Sequence, residues 1–135
     1  MENETTYAFQ LGIPDFRIRY RWTALPGTDF EHRRFQHMRC DFAYAEDDFP
    51  TTGAFMIWPE FEAIPNVVLS HSVEVPLAGT ATMWIINPNQ YRDYHASRIR
   101  IGTKGYLVVG GRQLATTEVT GLLGLASQES QKGSE

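Results

Sequence analysis

The segment 17–22, Arg-Ile-Arg-Tyr-Arg-Trp, alternates strictly between charged and apolar side chains. Successive side chains of a β-strand point to opposite faces, so this alternation predicts a half-buried strand. Ile18, Tyr20 and Trp22 would face the core, and the arginines would face solvent. Helical patterns are poor elsewhere, because Pro and Gly interrupt every candidate helical window.

Three further segments predict strands. Residues 40–44 alternate again, with Cys40, Phe42 and Tyr44 on one face, and an acidic run at 46–48 ends them. Residues 54–58 are a short apolar strand that Pro59 stops, and residues 81–86 are another that Asn87-Pro88 stops. Residues 25–28 and 49–53 are predicted to be a turn and a loop, and residues 29–37 are the one stretch compatible with a helical turn.

The segment 106–115 predicts a hairpin with its turn at Gly110 and Gly111, because glycine tolerates the positive φ that such turns need. Its second strand continues over residues 114–123. About six short strands separated by turn residues predict an all-β fold, specifically a single small closed antiparallel β-barrel. Closure is favoured because it removes edge strands that would template aggregation.

The length and composition limit the organisation of the chain. A chain of 135 residues has room for one domain, and 42% hydrophobic residues predict a packed interior. We expect a flexible N-terminus at 1–6, the barrel domain at 7–125 and a disordered tail at 126–135. A net charge of −4 argues against binding to DNA or a membrane through bulk charge. With neither a signal peptide nor a long apolar run, we expect a cytoplasmic protein without membrane contact.

Five short motifs occur in a recognisable order. The clearest is the final hairpin, residues 106–112 followed by Ala115, Val119 and Leu122-Leu123. The others are Arg39 with Phe42 and Thr52-Gly53, then Ile-Trp-Pro-Glu at 57–60, Val-Pro-Leu-Ala-Gly-Thr at 75–80, and Ile-Asn-Pro at 86–88. Residues 16–125 thereby resemble the C-terminal β-barrel domain of the elongation factor Tu family, here as a standalone domain. The resemblance implies a barrel similar to those of translation proteins.

The chain also departs from that family. It contains no G-x-x-x-x-G-K-[ST] phosphate loop, so we expect no GTP binding. Ala45-Glu46 replaces the family's Arg-Thr, which lies near bound transfer RNA, and this replacement weakens the expectation of RNA binding. Residues 89–96 are expected to be an inserted loop.

No residue combination clearly predicts catalysis or a metal site. Cys40 and one histidine would formally supply a nucleophile and a base, but an alternating strand position favours Cys40 as a core residue. The histidines are His32, His37, His71 and His95. His32 and His37 share no face of a regular element, and residues 46–48 lack the loop of a calcium hand. We therefore expect no enzymatic activity, no cofactor and no metal.

The basic residues favour an interaction surface, because ten of the twelve are arginines. Tyr and Arg are enriched in binding hot spots. We therefore predict a non-enzymatic binding module whose partner is most simply a protein, with RNA as a second possibility and the oligomeric state left open. The predicted partner-binding residues are Arg17, Arg19, Arg21, Tyr91, Arg92, Tyr94, Arg98, Arg100 and Arg112.

An ordinary solvated face explains the same arginines, and local packing explains the same tyrosines. A further alternative is a barrel that binds a small ligand in an aromatic cavity. The cavity would be lined by Trp22, Phe42, Tyr44, Trp58 and Trp84.

Overall fold

The computed structural model describes residues 6–23, 34–48 and 53–125. The predicted turn at 25–28, most of the possible helical turn at 29–37 and of the loop at 49–53, and the tail at 126–135 lie outside these ranges, as do residues 1–5. The elements are α1 (Tyr7–Leu11), β1 (Phe16–Trp22), β2 (Asp41–Tyr44), β3 (Ile57–Ile64), β4 (Val67–Val68), β5 (Ala78–Ile85), α2 (Pro88–Arg98), β6 (Lys104–Val109) and β7 (Arg112–Leu122).

The seven strands form one sheet in the order β2-β6-β7-β1-β5-β3-β4, and every pairing is antiparallel. The fold is therefore mostly β, as predicted, with one more strand than expected. The sheet is not closed by a continuous ladder. Instead, Phe42 of β2 and Phe55, just before β3, form one isolated bridge with N–H···O distances of 2.9 and 2.8 Å.

The alternation in β1 is confirmed by burial. Ile18, Tyr20 and Trp22 are buried, and Arg19 and Arg21 are exposed on the opposite face. We call the buried side of the sheet the inner face and the arginine side the outer face. Because β1 lies at the centre of the sheet, its inner side chains contribute to the hydrophobic core together with the buried Phe42, Tyr44 and Cys40.

The final hairpin is confirmed, and glycine is required in it. Gly110 and Gly111 both have positive φ, 58° and 81°, in the turn between β6 and β7. At Gly105 in β6 the constraint is space, because an added Cβ would lie 2.5 Å from the Phe42 ring and 2.6 Å from the Ala43 carbonyl oxygen.

Pro59 does not stop a strand, because β3 runs through it from Ile57 to Ile64. Pro59 pairs with Met83 of β5. The carbonyl oxygen of Met83 points away from β3 and accepts a hydrogen bond from the Asp15 N–H. The Pro59–Met83 pair is therefore a non-hydrogen-bonded one, and the missing N–H of proline faces the sheet edge.

We expected residues 89–96 to be a loop, but the structure shows that they belong to helix α2. Pro88 occupies the first turn, where its missing N–H is not needed, and Asn87 precedes it with φ 62°. Among the residues of α2 only His95 is buried, so the helix has no apolar stripe that a periodicity search would find. Strand β5 begins at Ala78, so the second half of the motif at 75–80 belongs to a strand.

Candidate partner-binding grooves

The three β1 arginines share the outer face but differ in their partners. Arg17 donates to both carboxylate oxygens of Glu62, from Nε at 3.0 Å and from Nη2 at 2.9 Å. Arg19 donates to Glu118 at 2.7 Å, in an exposed pair. Arg21 is exposed and makes no ion pair within the described part of the chain. Of the three, Arg21 is therefore the one available to a new anionic group.

The predicted residues on α2 are partly engaged inside the protein. Arg92 forms an ion pair with Asp15, a buried residue, and donates to the Gly124 carbonyl oxygen at 3.0 Å. Burial raises the pKa of Asp15, and the Ile85 N–H and Arg92 oppose that shift. Tyr91 is exposed at 38% of its surface. Arg92 thus attaches α2 to the sheet.

Arg98 attaches the other end of α2 to the turn after β2. Its guanidinium lies 3.7 Å above the centre of the Tyr44 ring and donates to Asp47 at 3.0 and 3.1 Å. It also donates to Glu46 at 2.7 Å and to the hydroxyl of Tyr94, a residue exposed at 45%. These contacts satisfy Arg98 internally.

The remaining predicted residues lie elsewhere. Arg100 follows α2 and donates to the carbonyl oxygens of Ala96 and Ile99, both at 3.0 Å. Arg112 begins β7 next to the glycine turn. Of the nine predicted residues, Arg17, Arg19, Arg92 and Arg98 form ion pairs inside the protein, and the nine are distributed over β1, α2, the segment after α2 and β7.

A groove crosses the outer face between two rows of side chains and has a volume of about 610 Å³. One row contains Arg19, Glu118 and Lys104, and the other contains Ala78, Arg21, Thr116 and Tyr106, as the pairing register requires. The row between them forms the floor and contains Gly79, Tyr20, Thr117 and Gly105. We call this the sheet groove.

The sheet groove is positively charged. Three cations and one carboxylate line it, which gives a net of two positive charges: Arg19, Arg21 and Lys104 against Glu118. Hydrogen bonding to Arg19 lowers the pKa of Glu118, so this carboxylate is ionised at neutral pH. Tyr106 adds an aromatic ring to one wall. Apart from Arg19 and Arg21, the residues that line the sheet groove were not predicted to bind a partner, because only the strand pairing brings them together.

A second groove, of about 440 Å³, continues from the first around the end of β2. We call it the turn groove; its lining residues are Tyr44, Ala45, Glu46, Arg98, Gly102, Thr103 and Lys104. The two grooves share Ala45 and Lys104, which are joined by a hydrogen bond of 2.9 Å from the Ala45 N–H to the Lys104 carbonyl. Tyr44 pairs with Gly105, so it extends the floor row of the sheet groove.

The aromatic residues of the predicted ligand cavity are divided between the two faces of the sheet. Trp22, Phe42 and Tyr44 belong to the hydrophobic core. Trp58 and Trp84 pair with each other on the outer side, where the Tyr7 ring contacts Trp84 edge-on at 5.5 Å. The five side chains therefore line no common cavity in the described structure.

The residues considered for catalysis are also separated. Cys40 is buried, and burial raises the pKa of its thiol to about 12, so it stays protonated at neutral pH. His95 is buried and bonded through Nδ1 to the Tyr44 hydroxyl at 2.7 Å. Burial, together with the charge of Arg98, lowers the pKa of His95 to about 4. Neither His37, His71 nor His95 forms a hydrogen bond with Cys40 in the described structure.

A contact between His37 and Glu60 was also not predicted. His37 Nε2 lies 2.6 Å from Glu60 Oε2, and the same oxygen accepts from the Tyr7 N–H at 2.7 Å. The rings of Tyr7 and His37 stack at 4.0 Å, so these contacts attach α1 to the sheet. Residues 6–23, 34–48 and 53–125 contain no group of three or more His, Cys, Asp or Glu side chains suited to a metal ion.

Comparison with protein families, curated proteins and solved structures finds no match for this chain. None of the helices within the described ranges has the length and apolar character needed to cross a membrane.

Proposed function

We propose that this chain is a non-enzymatic binding module that holds an acidic segment of a protein partner in the sheet groove. The observation that carries the proposal is the position of Arg21, an exposed cation without an ion pair in the described structure, in a groove that also contains Arg19 and Lys104. Arg and Tyr side chains supply much of the binding energy in protein interfaces, and Tyr106 lies in the same wall.

A protein partner accounts for the charges better than RNA does. The chain has a net charge of −4, and Glu118 lies in the wall of the groove. A continuous phosphate backbone would be repelled by both, whereas a protein segment can place a few carboxylates opposite Arg21 and Lys104. RNA binding would instead be strongly dependent on salt.

The proposal includes a closed β-barrel similar to the C-terminal domain of elongation factor Tu, in a cytoplasmic protein. The bridge between Phe42 and Phe55 supports closure, because it links strand β2, at one end of the sheet, to the residues that lead into β3 near the other. The family resemblance rests on the motif order, including the confirmed Gly-Gly-Arg hairpin.

The test is affinity capture from lysate of the source organism with three forms of the full chain: wild type, Arg21→Glu and Arg100→Glu. Arg100 is an exposed arginine outside both grooves, so its reversal matches the charge change without altering the groove. We expect one protein to be retained by wild type and Arg100→Glu and lost with Arg21→Glu. Equal capture by all three forms would rule out the sheet groove, and nuclease-sensitive capture of RNA would rule out a protein partner.

A further inference from the structure

Two exposed cations of the sheet groove, Arg21 on β1 and Lys104 on β6, form no ion pair within residues 6–23, 34–48 and 53–125. The third cation, Arg19, is paired with Glu118. Glu118 lies opposite both Arg19 and Lys104 in the strand pairing, but its carboxylate accepts its hydrogen bond from Arg19. The groove therefore offers two positions for carboxylates of another molecule.

These two cations lie in opposite walls of the sheet groove. Arg21 is in the row that contains Thr116 and Tyr106, whereas Lys104 is in the row that contains Glu118. Strand β7 lies between β1 and β6, so the two cations are two strand spacings apart along the groove. With about 4.8 Å for each spacing, the separation of their strands is about 10 Å.

The width of the sheet groove favours an extended segment over a helix. Its two walls are rows of residues two positions apart on each strand, which places the rows about 7 Å apart. A helix with its side chains is about 10–12 Å wide, so it is wider than the groove. An extended segment lying along the floor directs successive side chains to alternate walls. Residues three positions apart then face opposite walls, with a separation of about 10 Å along the groove.

We infer that the sheet groove binds an extended protein segment with two acidic residues three positions apart. This inference rests on the proposed function and specifies the partner further. One carboxylate lies against Arg21 and the other lies against Lys104. Of the two residues between them, one faces the Arg19–Glu118 pair and the other faces the wall that contains Tyr106. Both are expected to be uncharged, because Glu118 would repel a further carboxylate and Arg19 is already paired.

Two fluorescently labelled nine-residue peptides of identical composition test the inference by fluorescence anisotropy. Each contains two Asp residues among the same Thr, Val and Ser residues. The Asp residues are three positions apart in the spacing-three peptide and two positions apart in the spacing-two peptide, where both face the same wall. For the wild-type chain we expect the spacing-three peptide to bind about fivefold more tightly, which is the scale of one additional exposed ion pair.

Protein variants identify the two cations. Arg21→Gln and Lys104→Gln each remove one positive charge from an exposed side chain. We expect either variant to bind the spacing-three peptide no more tightly than the spacing-two peptide. Arg100→Gln is the matched control, because Arg100 is an exposed arginine outside both grooves, and it is expected to keep the wild-type preference.

The possible outcomes are distinct. If the variants at Arg21 and Lys104 weaken binding but the wild type binds both peptides equally, the spacing is wrong and the sheet groove remains the binding site. If neither variant changes the binding of either peptide, the proposed function itself is wrong. Absence of binding by both peptides at 1 mM overturns the inference alone, since capture from lysate tests the proposed function separately. Tighter binding of a uridine oligonucleotide than of the spacing-three peptide overturns both.

Discussion

The Lys104 carbonyl oxygen accepts a hydrogen bond of 2.9 Å from the Ala45 N–H, and this bond joins the two grooves at their shared rim. It continues the pairing between β2 and β6 one residue beyond the end of β2. A main-chain hydrogen bond therefore fixes the end of β2 relative to β6 at the rim that the two grooves share.

Gly105 is expected to be essential for the fold. A methyl group there would overlap the Phe42 ring and the Ala43 carbonyl, and the carbonyl belongs to the main chain and cannot rotate away. We expect Gly105→Ala to lower the free energy of unfolding by about 3 kcal/mol, as in other overpacked cores. Gly121→Ala is the matched control, because its nearest contact would be Arg17 Cβ at 3.8 Å. Urea denaturation measures both, and equal stabilities would refute the steric account.

Thr117 is expected to reduce stability through its hydroxyl. Its Oγ1 is the one buried side-chain polar atom without a hydrogen-bond partner among the described residues. Thr117→Val keeps the shape and removes the unsatisfied group, so we expect the free energy of unfolding to rise by about 1 kcal/mol. A lower urea midpoint for the variant would show that the hydroxyl has a partner in solution.

Arg17 is expected to stabilise the fold rather than bind a partner. Burial alone would raise the pKa of Glu62, but hydrogen bonds from Arg17, Thr80 and the Asn66 N–H outweigh burial and lower it. Arg17→Met would leave Glu62 buried with a weaker set of partners, and we expect the free energy of unfolding to fall by about 2–3 kcal/mol near pH 7, the scale of hydrogen bonds to a charged group. Arg19→Met, which removes an exposed pair, should have little effect on stability.

The pH dependence of the Arg17→Met effect has a defined sign. Since the pKa of Glu62 is lower in the folded than in the unfolded chain, its contribution is fully present above the unfolded pKa and is lost as pH falls through the folded value. The stability difference between wild type and Arg17→Met should therefore narrow from pH 7 to pH 3. Urea midpoints at several pH values measure it, and a constant difference would contradict the assignment.

His95 is expected to remain neutral well below pH 6, because its pKa is lowered to about 4. The unfolded chain takes up this proton at higher pH than the folded chain, so His95 costs stability as pH falls through about 6.5 towards 4. An NMR titration of the His95 ring protons should show no protonation above pH 5. A midpoint near 6.5 would mean that the ring is not buried against Tyr44 in solution.

The sequence predicted those parts of the fold that are determined by residues close together in the chain. The alternation of residues 17–22 identified β1, and Gly110-Gly111 identified the final hairpin. Helix α2 was missed because it lies on the surface and buries only His95, so it shows no apolar periodicity. The prediction that Pro59 ends a strand was wrong. Proline is tolerated where its missing N–H faces the edge of the sheet, and only the strand pairing shows which side of β3 is the edge.

The sequence identified two of the residues that line the sheet groove, Arg19 and Arg21, but not the others. Arg19 and Arg21 were identified from their strand, whereas Glu118 lies 99 residues from its partner Arg19. Sequence alone gives no register between such distant strands, so it could not place Lys104, Tyr106 and Thr116 in the same groove. Nor could it show that Arg17, Arg92 and Arg98 form ion pairs with carboxylates that lie far from them in the sequence.

Amide chemical-shift mapping of the labelled chain, with the protein captured by the wild type but not by Arg21→Glu, would locate the binding surface directly. We expect the largest shifts at Gly79, Thr117, Gly105 and Ala45, which line the two grooves on four different strands or their ends. Largest shifts along β3 and β4, with the groove amides unchanged, would contradict this expectation.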